Sequence, residues 1–75
     1  MYKIKTEELG RLDLFPNKYY AEMLGLTPDY ISSIKGGKLS VKTSIAKGII
    51  SLAYNISLND YKMEELLEAH FIKEK

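Results

Sequence analysis

Apolar residues recur along this chain at helical spacing. Ile45, Ile49, Leu52, Ala53 and Ile56 stand at i, i+4, i+7, i+8 and i+11, the stripe of an amphipathic helix from Thr43 to Tyr54. Within it, Gly48 lowers helix propensity and allows another helix to approach closely. Met63, Leu66, Leu67, His70 and Phe71 form another stripe, with Glu64, Glu65 and Glu68 facing away, and predict a last helix from Asp60 to Lys73. Thr6 is placed to cap a first helix, with Glu7 and Glu8 in its first turn and Leu9 and Leu12 as apolar contacts. Gly10 weakens that helix, and Met1–Lys5, alternating Tyr2 and Ile4 with lysines, reads as a short extended arm. No hairpin signal is present, so the pattern predicts an all-α class.

Residues 17–38, NKYYAEMLGLTPDYISSIKGGK, are punctuated more sharply than the rest. Lys18–Leu24 reads as a second helix, with Ala21 small where two helices cross and Gly25 where a left-handed residue ends the helix. Leu26 turns inward. Thr27-Pro28-Asp29 opens a third helix, Pro28–Lys35: a cap, a proline at the first helical position, and an anion at the positive end of the dipole. Ile31 and Ile34 share its inner side, and Gly36-Gly37 closes it. Ala21, Leu24, Leu26, Ile31, Ile34, Ile45, Ile49, Leu52 and Leu66 are therefore the expected core. Two short helices joined by a tight turn form a helix-turn-helix over residues 17–37, and the second helix of such a unit is the right size for the DNA major groove.

At 75 residues the chain is read as a single domain, residues 1–75. It has no cysteine and one histidine, so no disulfide, metal site or cofactor is expected. Neither a signal peptide nor a membrane span is recognisable, which makes a cytoplasmic protein the expectation. The formal charge is only +1, yet Lys35, Lys38, Lys42 and Lys47 fall between Ile34 and Ser57 with no acid among them. That is a modest electrostatic footprint for nucleic acid. No nucleophile–base group, carboxylate pair or phosphate loop stands out, so no enzyme is expected. His70, on an apolar stripe, reads as a packed or interface histidine rather than a catalyst.

Ala21, Leu24-Gly25-Leu26, Ile31, Ile34 and Gly37-Lys38, together with Asn55-Ile56-Ser57-Leu58-Asn59-Asp60-Tyr61, resemble the Cro/repressor-type (XRE-like) helix-turn-helix family over about residues 15–61. The resemblance implies a compact bundle of about five helices, a lambda-repressor-like DNA-binding domain, and a role in transcription regulation, often in phages. Asn17 stands where the family often has Gln, and Lys35 where it often has Glu.

Helical geometry puts Asp29, Ser32 and Ser33 outermost on the third helix, flanked by Pro28 and Tyr30. No Arg, Lys, Asn or Gln, the strong base readers, lies on that row. Asp29 can accept from cytosine, the serines can pair with either type of edge, and Tyr30 can pack on a thymine methyl or a sugar. Thr27 caps the helix beside amides able to hold a phosphate. The resemblance places Asn17, Lys18, Lys35, Lys38 and Lys42 where the family touches the sugar-phosphate backbone, contacts that position a protein without reading sequence. Two functions follow. The first is a phage-type Cro-like regulator or repressor binding double-stranded operator DNA through the third helix, as a homodimer for which the last helix, with Phe71 and Ile72, is the candidate element. The alternative is an antirepressor, or modulator of repression, that uses the same fold in a protein–protein interaction with the DNA-binding domain of a cognate phage repressor. An acidic, hydroxyl-rich helix suits a basic protein partner.

Overall fold

The alternation at the start of the chain makes a strand. In the computed structural model, which describes residues 1–74, Tyr2–Ile4 is β1, with Tyr2 and Ile4 buried and Lys3 exposed. Two 3₁₀ turns, Thr6–Glu8 and Gly10–Leu14, then stand where a first α-helix is expected. Thr6 does not cap; its hydroxyl donates to the Glu7 carboxylate at 2.9 Å. The backbone at Gly10 turns to φ 49°, and Phe15, preceding Pro16, takes the extended conformation that proline sterics impose on the residue before it.

The remaining elements are α1 (Asn17–Leu24), α2 (Pro28–Lys35), β2 (Ser40–Val41), α3 (Thr43–Tyr54), α4 (Met63–His70) and β3 (Phe71–Lys73). α2 is the third helix expected from the sequence, and α4 the last. α4 starts later than Asp60 because the Asp60 carboxylate accepts the Lys62 N–H at 2.8 Å and holds a turn there. It stops at His70 rather than Lys73, and Phe71 extends at φ −130° and ψ 152°. The three residues beyond it join β1 in antiparallel register: Tyr2 opposite Lys73, Lys3 opposite Ile72, Ile4 opposite Phe71. β2 pairs on the other side of β1, with Tyr2 opposite Val41 and Lys3 opposite Ser40. The chain is thus mostly helical but not all-α, with four α-helices among the described residues rather than about five, and a three-stranded sheet ordered β2-β1-β3.

The helices pack on the inner face of that sheet. Tyr2, Ile4, Val41 and Phe71 come from the strands, and Phe71 meets Tyr2 edge-on at 6.5 Å between ring centroids. Ala21, Ile31, Ile34 and Ile49 are buried as expected, whereas Leu24, Leu26, Ile45, Leu52 and Leu66 are half-buried at the margin of the core. The difference on α3 is one of phase. Ala46, Gly48, Ile49, Ile50 and Ala53 face inward because α3 is enclosed by α1, α4 and the Gly10–Leu14 turn, so a broader stripe than one helix face is covered. Gly48 is the close approach: a Cβ there would stand 2.8 Å from Leu24 Cδ2. Tyr20 lies fully buried among these elements, and its hydroxyl donates to the Leu12 carbonyl at 2.8 Å.

Ile34→Ala is expected to cost about 2–5 kcal/mol in urea unfolding, the usual range for a deleted, well-packed aliphatic side chain. A loss below about 1 kcal/mol would place Ile34 outside the core. Burial pushes the Tyr20 phenol up to about 12, from an ordinary 10. The folded state then holds a proton that the unfolded state releases, so stability should fall as pH rises between 10 and about 12. Tyr20→Phe should flatten that part of a stability–pH profile; an unchanged slope would contradict the assignment.

Candidate nucleic-acid interface

α2 is held at both ends by contacts its own sequence supplies. Thr27 Oγ1 accepts the Tyr30 N–H at 3.1 Å, Pro28 opens the first turn, and Asp29 sits in it. At the far end the N–H groups of Gly36, Gly37 and Lys38 donate to the carbonyls of Ser32, Ile34 and Ser33 at 2.9–3.0 Å. The turn from α1 passes through Gly25 at φ 70°, and the Leu26 N–H donates to Ala21 O at 2.8 Å. A side chain at Gly25 would carry left-handed strain, although the space around it is open. Ile31 and Ile34 anchor the helix from below, each fully buried.

Above them, Pro28, Asp29 and Ser32 are exposed and Ser33 is half-buried. Tyr30 is half-buried and packs against the core, so only part of its ring is free for a ligand. Thr27 is exposed with its hydroxyl engaged as the cap. On α1, Asn17 is half-buried at the first position, and Lys18 is exposed with its ammonium 3.9 Å from Glu22. Lys38 and Lys42 are exposed on either side of β2.

Lys35 does not join them. Its ammonium donates to the Phe15 carbonyl at 3.0 Å, lies 3.6 Å from Asp13, and stands 5.1 Å from the centroid of the Tyr20 ring. Its side chain is 12% exposed. The reason is periodic: Lys35 follows Ile31 by four residues and therefore shares its inner row. That signal was present in the sequence, and it places Lys35 with the core instead of the outer face. Beside the exposed cations of the loop lie two that the expected site omits, Lys3 and Lys5, brought there by β1; their signal was the period-two alternation with Tyr2 and Ile4.

The last helix is a poor dimer element in this arrangement. Its apolar row, Met63, Leu67 and His70, is buried in its own core, and Glu64, Glu65 and Glu68 face outward. A symmetric contact through that face would set like charges together. Phe71 is buried against Tyr2, and Ile72 is exposed on β3. His70 is a packed histidine: Nδ1 donates to the Glu8 carbonyl at 2.7 Å, and Nε2 pairs with the Tyr54 hydroxyl at 2.6 Å. Among the described residues no group of acidic, histidine or cysteine side chains could hold a metal, and no helix is long and apolar enough to cross a membrane.

Compared with protein-family models, with curated proteins and with solved structures, the chain matches none of them.

Lys35→Ala should destabilise the fold by about 1.5–3 kcal/mol, since it removes a charged hydrogen bond from the Phe15 carbonyl. It should leave the salt dependence of any nucleic-acid binding unchanged. Thermal unfolding and salt titration of the same variant check both statements; a changed salt slope with unchanged stability would return Lys35 to the outer surface.

Proposed function

We propose that this protein is a phage-type helix-turn-helix transcription regulator of the lambda-repressor-like kind, which binds duplex DNA in the cytoplasm by placing α2 in the major groove. The observation that carries the reading is the presentation of α2. The helix is capped at its start, anchored by Ile31 and Ile34, and left open to solvent along Pro28, Asp29 and Ser32. Exposed Lys38 and Lys42 follow it in the adjoining loop, where they can hold phosphates while α2 meets base edges. Binding needs no cofactor and no catalytic group. With one acidic side chain and two hydroxyls on its reading face, the protein would draw most of its affinity from the backbone and discriminate bases modestly.

A second reading is favoured by Asp29 together with the inward turn of Lys35. Without Lys35, the outer face of α2 carries an exposed carboxylate and no cation. Such a face suits a basic protein surface, as on the DNA-binding domain of a repressor, and the protein would then act as an antirepressor.

Asp29→Asn separates the two. Against duplex DNA at low salt, the variant should bind as well as the parent or better, because a carboxylate is lost near phosphates. Against a repressor domain, it should bind more weakly by about 2–5 kcal/mol if Asp29 is paired with a buried cation. Fluorescence titration with each ligand is the measurement. A large loss toward DNA with none toward protein would instead assign Asp29 to cytosine recognition.

A further inference from the structure

Three lysines form ion pairs, and four others cluster without one. Lys18, Lys35 and Lys47 lie within 3.9 Å of Glu22, Asp13 and Glu64, all on the helices or the turn that packs on them. Lys3, Lys5, Lys38 and Lys42 form no ion pair among the described residues, and all four belong to the sheet or its adjoining loop. Strand register explains their grouping. Tyr2, Ile4, Val41 and Phe71 face the core, so Lys3 falls on the opposite, outer face, and Lys5, half-buried just beyond the strand, continues the alternation. Lys3 stands opposite Ser40, and Lys42 follows Ser40 by two residues on the same face. Lys38 lies in the segment joining α2 to β2.

This face is continuous with the end of α2. An open groove runs between β1 and the Gly36-Gly37 turn, lined among others by Lys3, Lys5, Glu7 and Glu74. Both acids accept a hydroxyl hydrogen bond and remain charged. Glu74 accepts the Ser40 hydroxyl across the sheet. Glu7 accepts the Thr6 hydroxyl, a bond that, with its own backbone N–H, holds the carboxyl below its usual range. Lys5 also lies close enough to Glu7 to favour its charged form, whereas Lys3, Lys38 and Lys42 form no ion pair among the described residues.

We propose that the outer face of the sheet is a second backbone-contacting surface, on which Lys3 and Lys5, continuous with Lys38 and Lys42, follow the sugar-phosphate chain of the duplex that α2 enters. This rests on the DNA-binding function proposed above. Lysine meets phosphate as a point charge and reads no sequence. Positions two apart in extended backbone stand about 6.8 Å apart at their Cα atoms, which sets the two flexible lysine stems side by side along a periodic polyanion. The surface joins the α2 end without a break, so one duplex can touch both.

The test is the double variant Lys3→Ala/Lys5→Ala in the full chain, with circular dichroism confirming the fold. The slope of log affinity against log salt should fall by about two units, and affinity should drop equally for unrelated duplexes. Lys3→Arg/Lys5→Arg should restore the parent slope, because the charges return. Glu7→Gln should strengthen binding to every duplex. If the parent binds DNA and the double alanine variant keeps its salt slope, the sheet surface is overturned while α2 binding stands. If the parent binds no duplex even at low salt, both fall. If the double variant loses affinity only for an acidic protein and not for DNA, the surface belongs to a protein partner and the inference is wrong.

Discussion

The pairing of β1 with β3 is the constraint on which the rest of the molecule hangs. It joins the two ends of the chain, down to a hydrogen bond from the Glu74 N–H to the Met1 carbonyl at 2.7 Å. Closing a loop of about 70 residues costs roughly 4 kcal/mol of chain entropy in the simplest treatment. Burial of Tyr2, Ile4 and Phe71 offsets it, at about 1.5–3 kcal/mol for each large apolar side chain removed from water. The closure stops α4 at His70, gives the helices a sheet to pack on, and holds His70 between Tyr54 and the Glu8 carbonyl. A chain without it would leave Phe71 exposed and the inner faces of the helices uncovered.

The exposed face of α2 follows from that packing. Ile31, Ile34 and Lys35 occupy three positions of one helical row, and all three are engaged below the helix. Lys35 does in this row what an apolar residue cannot: its ammonium stands over the Tyr20 ring and donates to the Phe15 carbonyl at the break before α1. The same side chain therefore ties α2 to the segment that precedes α1. The remaining row is small, polar and rigidly placed, a shape that admits close approach of another surface. It carries little of the bidentate chemistry that makes base recognition strong.

Charge is distributed by the same logic. Cations on helices meet acids on helices, as Lys47 meets Glu64 between α3 and α4 at 3.3 Å. Exposed pairs of this kind add little stability, typically about 0–1 kcal/mol. Their effect here is to engage three of the helical cations, while Lys3, Lys5, Lys38 and Lys42 of the sheet and its loop, like Lys62 before α4, form no ion pair among the described residues. A formal charge of +1 thus conceals a surface with a cationic side.

Local chemistry was legible in the residues. α1, α2 and α3 lie where periodicity, Thr27, Pro28 and Gly25 put them, since caps, proline geometry and left-handed glycine act over a few residues. The exposure of Asp29 and Ser32 followed from the same helical phase. Even the inward turn of Lys35 was written in its spacing from Ile31, although its positive charge suggests the surface. What the sequence could not carry was the sheet. The alternation around Tyr2 and Ile4 marks an extended segment but not its partners, which lie about 40 and 70 residues further along the chain. Only tertiary contact decided that Phe71–Lys73 would leave the helical stripe and pair with β1, that Ile50 would enter the core ahead of Ile45, and that Lys3 and Lys5 would stand beside Lys38 and Lys42. A strand is stabilised by the neighbour it meets, and that neighbour is a property of the whole fold.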